Sequence, residues 1–113
     1  MEGKPPASVA LYEAFVAAVT SCGPFSVAVS KTSITFKGPR RGFAGARPTS
    51  RGVTGYMDLQ RQVAGPQITR SSPYGSRLYV HHYRLTALSD LDATFRSWLA
   101  EAYAVGTGAH LHP

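Results

Sequence analysis

Apolar residues recur at helical spacing in two segments, one toward each end of the chain. In the first, Leu11, Phe15, Ala18, Val19 and Cys22 fall at i, i+4, i+7, i+8 and i+11, the stripe of a helix packed on one face. Ser8 stands where an N-cap would begin it, and Gly23-Pro24 ends it. The second segment repeats the spacing with Leu91, Phe95, Trp98, Leu99 and Ala102, and Gly106 closes it. Ser89-Asp90-Leu91-Asp92 precedes it as a capping-box variant, Asp replacing Glu. Ser89 is expected to accept from the third helical amide while Asp92 reaches back. Asp90 and Asp92 also suit the positive end of the helix dipole.

Between these helices the period falls to two. Phe25, Val27 and Val29 alternate with small or polar residues, and Ser30-Lys31-Thr32-Ser33 turns the chain into Ile34 and Phe36, a hairpin pattern. Gly38-Pro39-Arg40-Arg41-Gly42 is a second turn, followed by Phe43 to Pro48. Val53, Gly55, Met57 and Leu59 then share one face, opposite Thr54, Tyr56 and Asp58. Residues 60–76, rich in Gly, Pro, Ser and Arg, read as an exposed excursion with a short strand near Ile68. The last strand, Arg77 to Leu85, puts Leu78, Val80 and His82 on one side and Tyr79, His81 and Tyr83 on the other. The pattern predicts an α+β domain: an N-terminal helix, an antiparallel meander of about five strands and a C-terminal helix. Both helices should lie on one face of the sheet, leaving the other open. Residues 8–105 form the expected single domain, with 1–7 a flexible N-terminus and 106–113 a flexible tail.

Composition adds limits. At 113 residues with 43% apolar and 16% charged content, the chain has room for one core and none for a second domain. No apolar run reaches the roughly 18–20 residues of a bilayer crossing, so no membrane partner is expected. Met1 to Pro6 lacks the basic start and apolar stretch of a secretory signal. Cys22 is the only cysteine, which excludes an internal disulfide and fits the reducing cytoplasm.

Charge changes the picture most. Residues 31–84 hold ten basic side chains against one acid, Asp58, a net of +9 within a chain of net +6. Eight of the ten are arginine, which favours planar, bidentate recognition of phosphate or carboxylate. The expected function is therefore a non-enzymatic binding module whose cationic sheet face takes nucleic acid or another anionic ligand. The selected residues are Lys31, Arg40, Arg41, Arg47, Arg51 and Arg77, with Tyr79 and His81 from the last strand. Arg40-Arg41 beside Phe43 pairs backbone charge with a stacking ring. The alternatives are a protein-interaction or homodimerising domain using Tyr79 and Tyr83 on the open face, and a small-molecule enzyme.

Other chemistry weighs less. Neighbours on a strand point apart, so His81 and His82 do not chelate one metal: one is expected on the open face, the other against the helices. His110 and His112 lack a supporting carboxylate or thiolate, and no metal or cofactor is expected. Ser30-Lys31-Thr32-Ser33 has no glycines or following helix to make a phosphate loop. Cys22, on the apolar stripe, reads as buried rather than nucleophilic. Ser33, His81 and Asp58 form a triad on paper only, without a nucleophile-elbow context.

The order of features also resembles the family called domain of unknown function 5655, from about Leu11 to Tyr103. The resemblance rests on Leu11-Tyr12, on Val27-Ala28-Val29-Ser30-Lys31, and on Phe43-Ala44 before Arg47-Pro48. Tyr79-Val80-His81-His82 and the closing Leu91-Asp92, Trp98-Leu99 and Ala102-Tyr103 complete it. It implies the fold; the family has no established activity, so no site residue follows from it.

Overall fold

In the computed structural model, which describes residues 4–31, 33–74 and 77–108, two helices cover one face of a six-stranded antiparallel sheet. The helices are α1 (Pro6–Thr20) and α2 (Ala93–Gly106). The strands are β1 (Ser26–Val29), β2 (Ile34–Lys37), β3 (Gly42–Thr49), β4 (Gly52–Leu59), β5 (Ile68–Tyr74) and β6 (Leu78–Leu85). Their order across the sheet is β1-β2-β3-β4-β6-β5. The first four strands meander; β5 then runs out to the far edge and β6 returns between it and β4. The expected α+β architecture is present, with one strand more than about five. The sixth is the strand expected near Ile68: β5, longer than the short one foreseen, pairs with β6 from Ile68 to Tyr74 despite its polar composition. Backbone pairing needs no apolar side chain, and the β5 edge needs only one partner.

The apolar stripes behave as their spacing predicts. Leu11, Phe15 and Val19 of α1 and Phe95, Trp98, Leu99 and Ala102 of α2 are buried against Val53, Met57, Leu59 and Leu85. Phe15 is the hub: its ring stacks on Tyr83 at 5.6 Å and meets Phe36 at 5.6 Å and Phe95 at 6.5 Å. Each fully buried side chain of this size is worth roughly 1.5–3 kcal/mol. Phe43 joins the core through a bulge: Phe36 pairs with Ala44 and Lys37 with Gly42, so Phe43 is the extra residue. It turns inward onto Tyr103, 5.4 Å away.

Both helix starts differ from expectation. Pro6 occupies the first turn of α1 and Pro5 precedes it, so Ser8 lies inside the helix and is buried rather than capping. Proline fits there because its missing N–H would have had no intrahelical partner. In α2 the cap is Asp92, whose Oδ1 accepts from the Phe95 amide at 2.8 Å. Ser89 and Asp90 belong to a separate 3₁₀ turn, where Asp90 accepts from the amides of Thr86 and Ala87.

The domain also reaches beyond 105. Gly106 closes α2, and its carbonyl accepts from the amides of Arg40 and Arg41 in the β2–β3 turn. A Cβ on Gly38 would meet that carbonyl oxygen at 2.5 Å, so the turn and the helix end meet only because glycine stands there. At the other end, α1 begins inside the stretch expected to be flexible. His110 and His112 lie outside the described residues.

Candidate functional site on the open face of the sheet

Strand alternation, fixed by the buried residues, decides which side chains stand clear of the helices. On β4, Val53, Met57 and Leu59 are buried, so Thr54, Tyr56 and Asp58 face the other way. On β6, Tyr83 and Leu85 are buried, and His81 with them, which leaves Val80, His82 and Arg84 on the open face. Register then aligns these residues in rows. One row crosses Gly45, Tyr56, His82 and Arg70; the next crosses Arg47, Thr54 and Arg84.

The two rows line a concavity of about 480 Å³, with Ser33 and Thr69 at its margin. Neighbouring strands lie roughly 4.8 Å apart, so Arg47 and Arg84 stand on either side of Thr54, about 10 Å from each other at the backbone. Both are exposed, and among the described residues neither forms an ion pair or a side-chain hydrogen bond. Arg70 places Nη2 3.1 Å from His82 Nε2. Arginine only donates, so Nε2 accepts and the imidazole carries its proton on Nδ1. Burial first, then the positive charge of Arg70, holds the His82 pKa below its usual value.

Tyr56 forms the floor. A Cβ on Gly45 would stand 2.5 Å from Tyr56 Cε1, so the ring lies down across the bare backbone of β3. Beyond it, a second concavity of about 530 Å³ is lined by Arg41, Gly42, Tyr56, Asp58, Val80 and His82. Tyr56 and His82 border both spaces. Asp58 is 3% exposed, and its Oδ2 accepts from Arg41 Nη2 at 3.0 Å. Burial raises the pKa of its carboxyl more than the Arg41 charge and hydrogen bond lower it.

The selected residues are only partly brought together. Arg47 lines the first concavity and Arg41 the second. Lys31, in the β1–β2 turn, and Arg51, in the β3–β4 turn, lie toward the Arg47 end of the sheet. Arg40 and Arg77 belong to turns at the opposite end, Arg40 with its side chain alongside Gly108. Tyr79 pairs with Leu59 and so takes the helix side. His81 is a correction: it is fully buried, with Nε2 accepting from the Val63 amide at 3.0 Å and Nδ1 facing the Tyr79 carbonyl at 3.1 Å. One histidine on each face was the right division, but His82 is the outward one. Tyr83 is likewise in the core, so neither tyrosine of the homodimer reading stands on the open face. Arg61 leaves the cationic set altogether, making a two-pronged pair with Glu101 of α2.

Thr54, Arg70, His82 and Arg84 were missed. Leu85 shares the parity of Tyr83 and His81, but Leu78 and Val80 on the other parity balance that signal. Cys22, half-buried, points its thiol at the Ala18 carbonyl, and burial raises its pKa, as suits a structural role. Among the described residues no three His, Cys, Asp or Glu side chains gather as a metal site would require, and no helix is long and apolar enough to cross a membrane.

Residues 1–106 match the family model described as Domain of unknown function (DUF5655), and the chain belongs to that family. No curated protein and no solved structure matches it.

Proposed function

We propose that this DUF5655 domain is a non-enzymatic, cytoplasmic binding module that holds the anionic group of a phosphorylated or carboxylated ligand on the open face of its sheet. One observation carries the reading: Arg47 and Arg84 flank Thr54 with no acid among the described residues to neutralise them. Two planar guanidinium forks beside a hydroxyl donor suit an oxyanion with several acceptor lone pairs. Arg70 adds a third charge at the margin. Binding rather than catalysis is favoured because both ring nitrogens of His81 already face backbone groups, and one oxygen of Asp58 is held by Arg41.

Calorimetric titration with inorganic pyrophosphate at low salt tests this. The wild type should bind, more weakly as salt rises, and the Arg47→Ala/Arg84→Ala double variant should not. Equal binding by the two proteins, or none by either, would remove the reading.

A second reading, homomeric association, has its own support. All four residues of β1 are exposed, Val29 by 74%, and this edge strand carries no charge, proline or bulge. The β5 edge, by contrast, has Pro73 and a register shift, features that block strand addition. Light scattering over a wide concentration range on the wild type and Val29→Lys decides it. A monomer at every concentration removes the idea.

A further inference from the structure

We infer that the ligand on this face is a nucleotide unit, its phosphate between Arg47 and Arg84, its base laid on Tyr56 and the edge of that base turned to Asp58. The inference rests on the anion-binding reading and gives it a ligand class.

Three features lie in line along β4. Thr54, Tyr56 and Asp58 are successive open-face residues, each about 7 Å from the next. The line therefore runs from a cationic cradle, across a flat aromatic ring, to a polar end. A phosphate joined through one sugar to a planar base has the same sequence of parts. Because Gly45 lets Tyr56 lie against the strand and the residue borders both concavities, the ring face away from β3 is the one on which a planar partner would stack. A bare anion or a sugar phosphate would leave that face unused.

Asp58 supplies the second argument. It is almost wholly buried, yet only Oδ2 is taken, and Oδ1 has no hydrogen-bond partner among the described residues. A buried carboxylate oxygen of this kind favours a donor, and it borders the second concavity. The hydrogen-bonding edge of every base offers an N–H, which Asp58 meets. The same carboxylate repels phosphate, so the ligand has one orientation: anion at Thr54, base at Asp58.

The experiment is a low-salt titration of the full chain with AMP, GMP, CMP, UMP, ribose 5-phosphate, inorganic pyrophosphate and a single-stranded hexaribonucleotide. At least one mononucleotide should bind about tenfold or more tighter than ribose 5-phosphate, the advantage one stacked base confers. Tyr56→Phe should keep that advantage and Tyr56→Ala should lose it. Both variants should still bind pyrophosphate, which also shows that they fold. Ribose 5-phosphate binding as tightly as every nucleotide would overturn the inference while sparing the anion site. Loss of pyrophosphate binding would take both. The source is read from the oligomer. A gain over its component nucleotides, lost steeply with salt, marks a single strand; parity marks a free nucleotide.

Discussion

Tyr83 donates its phenolic hydrogen to the carbonyl oxygen of Gly45, 2.7 Å away, from inside the core. The bond ties β6 to β3 across the strand between them. It exists because the intervening position is Gly55: a Cβ there would lie 2.7 Å from Tyr83 Oη and 2.0 Å from the Gly45 oxygen. Tyr83 thus holds from below the stretch of β3 on which Tyr56 rests from above.

Tyr83→Phe should cost about 1–3 kcal/mol, because the Gly45 carbonyl loses a buried donor while the ring and its stacking on Phe15 remain. Gly55→Ala should cost more, about 3 kcal/mol or above, since a backbone oxygen and not a flexible side chain stands in the way. Denaturant unfolding of the two variants checks the order.

His81 should make the protein sensitive to mild acid. Burial, its largest influence, holds its pKa below the ordinary 6.5, and a proton on Nε2 would displace the Val63 amide. The unfolded chain takes up that proton near 6.5 and the folded chain only at lower pH. The stability involved is present above 6.5 and lost as pH falls through the folded value. His81→Leu should be less stable at pH 7 by about 1–3 kcal/mol, with the Val63 N–H left stranded, yet lose less on going from pH 7 to 5. Melting temperatures of both proteins across that range give the comparison, and equal slopes would refute the assignment.

Asp58 should act in the opposite direction. Its pKa is raised from 3.8 because burial outweighs the pull of Arg41. The folded state keeps the proton longer than the unfolded one, so its contribution is greatest in acid and declines as pH rises from 3.8 through the folded value. The advantage of the wild type over Asp58→Asn should shrink between pH 4 and 7. An advantage that grows toward neutrality would show the ion pair to be the stronger influence.

Asp92 joins two elements: Oδ1 caps α2 at the Phe95 amide and Oδ2 accepts from Gln67 Nε2 at 3.2 Å. Asp92→Ala should cost about 1–2 kcal/mol, and Asp92→Asn, which keeps the capping oxygen, clearly less. Ser89→Ala, at the position expected to cap, should be nearly silent. Thermal unfolding separates the three.

Much of the fold was legible because it depends on neighbours along the chain. Helical and two-residue periods are local, and they located both helices, the first hairpin and the face division of β4. The helix caps were harder to assign: Ser8, Ser89 and Asp92 all had suitable side chains, and the cap depends on where the incoming chain packs. For β5 the pairing comes from its partner, and a polar, proline-bearing stretch announces little of that.

The candidate site shows the same division. The sequence determined that the central third is cationic, rich in arginine, and carries alternating strands with one histidine inward and one outward. It did not determine which histidine, because strand alternation is symmetric until a core is assigned to one side. Only the tertiary structure decided that, by stacking Tyr83 on Phe15 and burying His81, which turned His82 and Arg84 outward beside Thr54. It also dispersed Arg40, Arg51, Arg61 and Arg77 and drew Arg47, Arg70 and Arg84 together. Which charges share a surface depends on register between strands distant in sequence, and one residue of slip would exchange the two faces.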